Sequence, residues 1–275
     1  MKSGTGEATN IFDMASANHD TLSRFLDYSK ALTNACKSHS EIIGLVLVGS
    51  TAETERVDAW SDHDFFVITP SGAQESLRTD LSWLPNSQSI AFSFRETEHG
   101  LKVVYDSGAV LEFAIFDCAE LQSCMVNHNR LAYGDDEVAQ ALEIAKSREI
   151  TENPTDNLRD FRLFLSVLII GVGRARRGES LTAGENIRST AVNAFLKVLT
   201  RQLEQDSRLD KFDARRRFEL VHPEIGSQIT DALAKQPEEA GKSLLDLADK
   251  FLAPIWVEYP LGEVLVVRKA LSWSS

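Results

Sequence analysis

The spacing of apolar residues along the first half of the chain predicts a mixed α/β fold. Between residues 19 and 40 the apolar positions recur at helical spacing, which predicts one long helix. A continuous, largely β-branched apolar run follows at residues 42–48, and such a run is typical of a strand buried on both faces. Further elements are predicted beyond it: helical turns at residues 51–56, a helix at 73–84, and strands at 64–69, 89–94, 101–105 and 109–116.

The pattern changes near residue 150. Residues 151–156 are polar and contain Pro154, and every predicted element after them is helical. The predicted helices cover residues 158–177, 182–203, 212–220, 225–235 and 238–256. We therefore predict an α/β domain at residues 1–150, with a mixed sheet and flanking helices, followed by an all-α helical bundle at residues 151–275. Residues 1–18 show little periodicity and are predicted to be frayed.

Composition and charge indicate which binding partners and which cellular compartment to expect. The 275 residues include 41 acidic and 29 basic side chains, which gives a formal net charge of −12. A chain of this charge repels phosphate backbones and anionic membranes and attracts cationic ligands, so nucleic acid and membrane partners are not expected. The three cysteines show no C-x-x-C spacing, and no signal-like or membrane-spanning apolar segment is present. These features predict a cytoplasmic protein with reduced thiols.

Three features between residues 47 and 115 carry candidate chemistry. Gly49 and Ser50 follow a buried strand, where a glycine, a hydroxyl and the N–H groups of a starting helix favour a phosphate. Asp62 and Asp64 lie two residues apart at a strand start, so their carboxylates share one face and suit Mg²⁺ together with phosphates. Glu112 stands inside an apolar strand, where a buried carboxylate is costly unless it is paired or coordinated.

Each of these features is common in proteins that have no such chemistry. A Gly-Ser pair after a strand is often a plain turn, an Asp-x-Asp pair is often a solvated loop edge, and a strand glutamate often faces water. Here the three features occur in one chain in a consistent order, each next to a predicted strand. The combination favours a functional interpretation over three coincidences.

The order of these motifs resembles the nucleotidyltransferase superfamily related to polymerase beta. Its signature is a strand, Gly-Ser, about ten residues and then Asp-x-Asp, and here eleven residues separate Ser50 from Asp62. The resemblance covers roughly residues 20–118. Within the superfamily, the chain is most similar to antibiotic nucleotidyltransferases of the lincosamide and aminoglycoside type, which carry a C-terminal helical domain.

The resemblance implies a mechanism and a set of site residues. Gly49 and Ser50 would hold the triphosphate of a nucleotide, with ATP as the expected donor. Asp62, Asp64 and Glu112 would bind two Mg²⁺ ions that clamp an in-line displacement at the α-phosphate and release pyrophosphate. The chain departs from many relatives at His63, where they have a small apolar residue, and in having a glutamate as its third acid.

Further residues are candidates for contacts with the substrates. Arg188 is a candidate phosphate ligand, Glu185 a candidate for positioning the acceptor, and Trp60 is expected to line the entrance of the site. Glu112, Glu179 and Glu185 are candidate general bases, although Glu179 is expected to cap or pair locally. The nearby arginines Arg174, Arg176 and Arg177 are typical of a helix C-terminus.

The predicted site lies between the two halves, and the predicted acceptor is a small hydroxylated molecule. An aminoglycoside or lincosamide fits, because an acidic cleft attracts amino-sugars, and this would make the protein an antibiotic-resistance enzyme. Two alternatives stay open: a nucleotidyltransferase of the toxin–antitoxin type that modifies a protein or tRNA, and a non-catalytic nucleotide-binding module. The charge of −12 counts against an RNA acceptor, and the three acids count against a non-catalytic module. The oligomeric state is not predicted.

Overall fold

The computed structural model describes residues 11–58, 60–126, 128–148, 156–204, 206, 208–210 and 213–273. The chain separates into two compact units, residues 1–150 and residues 151–275. We call them the sheet unit and the helical unit.

The sheet unit is built on one mixed sheet, as the sequence predicted, and the sheet has six strands. In spatial order the strands run β3, β4, β5, β2, β1, β6. The pair β2–β5 is parallel, and every other neighbouring pair is antiparallel. Their bounds are β1 (Gly44–Val48), β2 (His63–Ile68), β3 (Ile90–Arg95), β4 (Gly100–Tyr105), β5 (Val110–Phe116) and β6 (Asn129–Gly134).

Helices cover both faces of this sheet. They are α1 (Ile11–Ser38), α2 (Gly49–Ala52), α3 (Gln74–Thr79), α4 (Cys118–Ser123) and α5 (Asp136–Ser147), with 3₁₀ turns at Thr54–Arg56 and Ser87–Ser89. The predicted frayed segment at residues 1–18 is wrong for residues 11–18, which belong to α1, because extending an existing helix adds a hydrogen bond for each residue fixed. Residues 1–10 lie outside the described residues.

Strand β1 is buried on both faces, as predicted from its continuous apolar run. Leu45 and Leu47 join the core that packs against α1 and α3, whereas Val46 joins a second core against α4 and α5. Successive side chains of a strand point to opposite faces, so a strand between two helical layers needs apolar residues at every position. Sequence analysis missed the neighbouring strand β6, whose residues are mostly half-buried and polar or small.

The edge strand β3 contains an irregularity that decides which way its side chains point. Ile90 is opposite Tyr105, but the register then shifts, and Phe92 is opposite Val104 instead of Val103. A one-residue shift of this kind moves the following side chains to the other face of the sheet. Ile90 therefore packs against the α1 core, whereas Phe92 and Phe94 lie on the opposite face and are exposed.

The helical unit consists of helices packed around α6 and α8. Its helices are α6 (Asn157–Arg176), α7 (Ser180–Glu185), α8 (Val192–Gln202), α9 (Phe218–Val221), α10 (Pro223–Leu233), α11 (Pro237–Phe251) and α12 (Leu261–Leu271), with a π-helical stretch at Asn186–Ala191. The all-α class of this half is confirmed. Across the whole described part of the chain, no helix is long and apolar enough to cross a membrane.

The helical unit differs from prediction in several details, two of which have a clear physical reason. The helix predicted at 182–203 changes to π-helical geometry at Asn186–Ala191, where Ile187 packs so closely that a Cβ at Gly171 would lie 2.7 Å from its Cδ1. Helix α12 was missed because its Val264, Val266 and Val267 give a strand-like sequence. Val264 and Val267 are buried in the core of the unit, and this packing overrides the local preference.

His63 joins α1 to the sheet. Its ring stacks on Phe25 of α1, with 3.7 Å between the ring centroids, and its Nε2 lies 3.1 Å from the Phe25 carbonyl oxygen. The residue is only 7% exposed. Burial lowers the pKa of His63 to about 4, which keeps the ring neutral at physiological pH.

The lowered pKa of His63 predicts a loss of stability in acid. Between about pH 6.5 and pH 4 the unfolded chain binds a proton that the folded protein excludes, so the free energy of unfolding falls as the pH falls. The contribution of this group is on the order of 3 kcal/mol. Denaturant unfolding of the metal-free protein from pH 7.5 to 4.5 measures it.

The control is His63→Phe, which keeps a stacked ring and removes the titration. Other groups that titrate in this range affect both proteins equally, so the difference between the two curves isolates His63. Parallel curves for the two proteins would contradict the assignment.

Candidate active site

Gly49 forms a sharp turn between β1 and α2. Its φ of +57° lies in the left-handed region that favours glycine. A Cβ at this position would lie 2.8 Å from Oδ2 of Asp64, so the close approach excludes a side chain as well. The N–H of Gly49 donates to the carbonyl oxygen of His128 at 3.0 Å. Gly49 therefore provides a turn that can lie close against Asp64, and its own N–H is already used.

Asp62, Asp64 and Glu112 come together at one end of the parallel strand pair. Asp62 directly precedes β2, Asp64 is the second residue of that strand, and Glu112 on β5 is directly opposite Asp64. One carboxylate oxygen from each of the three residues lies within 4.8 Å of the others. The predicted third acid thus lies beside the predicted pair.

Glu112 is half-exposed, one of the two possibilities that the sequence left open. Its side chain is 49% exposed, although β5 is an interior strand of the sheet. The reason is that the two faces of β5 are covered to different extents at this end of the strand. Leu111 and Phe113 point into the core, whereas Glu112 lies on the opposite face, which is open at this end of the strand.

Lys102 is a site residue that sequence analysis missed. It is directly opposite Glu112, and its Nζ lies 3.3 Å from Oε2 of Glu112 and 2.8 Å from Oε1 of Glu96. The hydrogen bond to Glu96 is the main cause that raises the pKa of Lys102. The sequence contained one signal for this role: a single lysine in an otherwise apolar strand, predicted next to the strand of Glu112.

The hydroxyl groups of two α2 residues contact the backbone at the start of β2, one closely and one weakly. The N–H of Asp64 donates to Oγ1 of Thr51 at 2.8 Å, and Thr51 is only 1% exposed. The hydroxyl of Ser50 lies 3.5 Å from the carbonyl oxygen of Asp62, a long and weak contact. Thr51 thus positions the backbone of a carboxylate residue, a role that the sequence did not reveal.

The donor atoms of this site fit a hard divalent cation. Carboxylate oxygens are the ligands that Mg²⁺ prefers, and three of them converge from two strands. Like charges at this separation repel, and a bound cation would relieve that repulsion. Asp62, Asp64 and Glu112 can therefore hold the metal that the resemblance implies.

Trp60 lies at the Asp62 side of this cluster. Its residue surface is 93% exposed, and its backbone N–H donates to Oδ1 of Asp58 at 2.8 Å. It lines a cavity of about 750 Å³ together with Asp62, Tyr28 and Tyr105. Asp64 and Glu112 do not line this cavity, and the role of Trp60 toward a ligand stays a prediction.

Arg188 and Glu185 belong to the helical unit. The guanidinium of Arg188 donates to the carbonyl oxygens of Leu233 and Lys235, at 2.9 and 2.6 Å, so it caps the C-terminal end of α10. Glu185 is the last residue of α7 and is exposed. The roles of both residues toward substrates stay predictions.

The other charged residues singled out near α6 form ion pairs within the helical unit. Glu179 accepts from Arg174 and Arg177, which agrees with the expected local pairing. Arg176 pairs with Glu238 and also donates to the carbonyl oxygen of Leu271. These contacts give the arginine cluster a structural role.

The sequence matches no protein-family model and no curated protein, whereas several solved structures resemble the chain. An aminoglycoside 6-adenyltransferase from Bacillus subtilis aligns with 90% of this chain and 91% of its own, at 12% identity and a TM-score of 0.28. A STING-associated CdnE c-di-GMP synthase from Capnocytophaga granulosa aligns with 92% of this chain and 82% of its own, at 10% identity and a TM-score of 0.32.

A third solved structure is the CD-NTase CdnG from Bradyrhizobium diazoefficiens in complex with GTP. It aligns with 92% of this chain and 91% of its own, at 12% identity and a TM-score of 0.26. Similarities at these levels do not define the activity of the chain. The carboxylate cluster and the turn beside it are the features that indicate what the chain does.

Thr51→Val is expected to destabilise the protein by about 1–3 kcal/mol, because it leaves the N–H of Asp64 without its acceptor. Thr51→Ser keeps the hydroxyl and is expected to recover most of that loss. Urea denaturation of the wild type and the two variants measures the difference. A valine variant as stable as the wild type, or a serine variant destabilised at least as much as the valine variant, would contradict this role of the hydroxyl.

Proposed function

We propose that the protein is a metal-dependent nucleotidyltransferase. It transfers a nucleoside monophosphate from a nucleoside triphosphate to a hydroxyl group of a small molecule and releases pyrophosphate. The observation that carries this proposal is the convergence of three carboxylates within 4.8 Å, directly beside the Gly49 turn. Acids that hold divalent cations are what transfer at a phosphorus centre requires.

The three acids have separate tasks in this proposal. Asp62 and Asp64 hold the metal, whose bound charge stabilises the attacking and leaving oxygens. Glu112 completes the ligand set from the adjacent strand and faces the acceptor. It is also a candidate base for the acceptor hydroxyl, because its exposed carboxylate is accessible from the open face of the sheet.

The nucleotide is held at the end of β1. Gly49 lets the backbone of the turn lie against the Asp64 carboxylate, since a side chain there would collide with it, and its backbone is the proposed phosphate contact. The weak contact of the Ser50 hydroxyl with Asp62 can be exchanged for a phosphate oxygen at little cost. ATP is the proposed donor, Mg²⁺ the proposed metal, and Arg188 a proposed further phosphate contact.

The acceptor is proposed to be a small hydroxylated molecule. The net charge of −12 disfavours RNA and favours an uncharged or cationic compound. Antibiotics of the aminoglycoside or lincosamide type are the expectation from the sequence resemblance, with Glu185 and Trp60 as proposed contacts. Pyrophosphate release that depends on both the metal and an acceptor would distinguish this function from a non-catalytic nucleotide-binding module.

Asp62→Asn and Asp64→Asn should each reduce pyrophosphate release by at least about a hundredfold, because each removes a negative ligand from the proposed metal site. The melting temperature of the metal-free protein should hold, since a carboxylate is removed from a crowded acidic cluster. Asp58→Asn, near the cluster but outside it, is the matched control. An Asp62 or Asp64 variant with near wild-type turnover would contradict the site assignment.

Gly49→Val and Ser50→Ala test the nucleotide site. Gly49→Val should weaken ATP binding strongly, because it places a branched side chain in a left-handed turn and against Asp64. Ser50→Ala should weaken binding less, because it removes one weakly held hydroxyl. Calorimetric titration with ATP and Mg²⁺ measures both, and the melting temperature of each variant checks its fold. Unaltered affinity in both variants would argue against this nucleotide site.

A further inference from the structure

Four side chains form one row across four adjacent strands of the sheet. Asp64 on β2 is opposite Glu112 on β5, Glu112 is opposite Lys102 on β4, and Lys102 is opposite Phe94 on β3. Directly opposite residues share a face of the sheet and have neighbouring side chains. The carboxylate site therefore continues across the sheet to its edge strand.

The proposed function, on which this inference rests, assigns different roles to the two ends of this row. The nucleotide phosphates lie at the β1 end, beside Gly49. In an in-line displacement the attacking oxygen enters on the side opposite to the leaving pyrophosphate. The acceptor must therefore approach from the Glu112 side, above β4 and β3.

The surface on that side is apolar and aromatic. Phe92 is 56% exposed and Phe94 is 48% exposed. A second row runs beside the first, in which Phe92 is opposite Val104 and Val104 is opposite Val110. We call Phe92, Phe94, Val104 and Val110 the aromatic strip.

Core packing does not account for the two exposed rings. They reach the open face only because the register shift after Ile90 turns them away from the core. An exposed apolar edge strand also carries a risk of aggregation that proteins usually avoid with charges or proline. Exposed rings at the end of a row that begins with two of the proposed metal ligands indicate a ligand surface.

The charges beside the strip indicate the kind of ligand. Lys102 is the basic residue in the row, and it engages both Glu96 and Glu112. A polycationic amino-sugar would meet this ammonium group and carboxylates that are already paired. A flat aromatic ring, by contrast, can stack on the faces of Phe92 and Phe94.

We propose that the aromatic strip is the acceptor subsite and that it binds a planar, uncharged aromatic ring with a hydroxylated substituent, as in a nucleoside. Adjacent strands lie about 4.8 Å apart, so Phe94 is about 10 Å from Glu112 across the sheet. The stacked ring therefore lies short of the metal site, and the substituent extends over Lys102 toward Glu112. Lys102 positions this carboxylate and offers a hydrogen bond to the substituent.

The test measures acceptor binding with the donor site filled. The protein is saturated with Mg²⁺ and α,β-methylene-ATP, which cannot be cleaved at the α-phosphate, and adenosine or kanamycin is then titrated by NMR. Adenosine is the planar probe and kanamycin the polycationic amino-sugar. The variants are Phe92→Thr/Phe94→Thr, which keeps residues that favour strands, and Phe92→Trp/Phe94→Trp, which restores flat rings. Leu220→Thr, at an exposed residue of the helical unit, is the control.

We expect the double threonine variant to weaken adenosine binding about tenfold or more, because it removes both stacking surfaces. The double tryptophan variant and Leu220→Thr should bind adenosine like the wild type. The affinity for α,β-methylene-ATP should be the same in all four proteins, since the nucleotide lies at the other end of the row.

Two results would overturn the proposal. One is adenosine binding that is absent in the wild type or unchanged in the double threonine variant. The other is kanamycin binding that depends on Phe92 and Phe94. Failure of the proposed function gives a different result: the wild type would not bind α,β-methylene-ATP with Mg²⁺, or would release no pyrophosphate from ATP.

Discussion

The main physical constraint on the sheet unit is that it must hold three mutually repelling carboxylates close together. Two like charges 4–5 Å apart repel by roughly 1–4 kcal/mol, depending on how well water screens them. Parallel pairing of β2 with β5 nevertheless holds Asp64 opposite Glu112, and the buried Thr51 hydroxyl fixes the backbone of Asp64. The strain is tolerated because the strands are anchored by cores on both faces of the sheet. Hydrophobic burial thus maintains an arrangement that electrostatics alone would disperse.

The residues of the site differ in how far sequence alone reveals them. Gly49, Asp62, Asp64 and Glu112 could be assigned together because their chemistry is local: a turn, a two-residue spacing and an acid in an apolar strand. Lys102 could not, because its role depends on which strand becomes the neighbour of β5, and strand order is a property of the tertiary fold. The exposure of Glu112 depends in the same way on the tertiary fold.

The elements of the fold also differ in this way: some are determined by the local sequence pattern and others by contacts with distant parts of the chain. Strand β1 and helix α6 have patterns strong enough to predict, because their burial repeats at every residue or at every helical turn. The register shift after Ile90 could not be predicted, since the spacing of Ile90, Phe92 and Phe94 is the ordinary spacing of one strand face. Helix α12 was hidden by its valines, and only its packing in the helical unit makes it a helix.

The single parallel pairing in the sheet has a consequence for how the protein folds. Strands β2 and β5 are neighbours in space, but residues 69–109 separate them in sequence and contain β3 and β4. Contacts between such distant segments form slowly, because the entropy of closing the intervening loop is lost before the contacts can compensate for it. Glu112 can therefore join the aspartates only once β5 has paired with β2. An incompletely folded chain has no complete cation site, so a bound cation would stabilise the finished fold selectively.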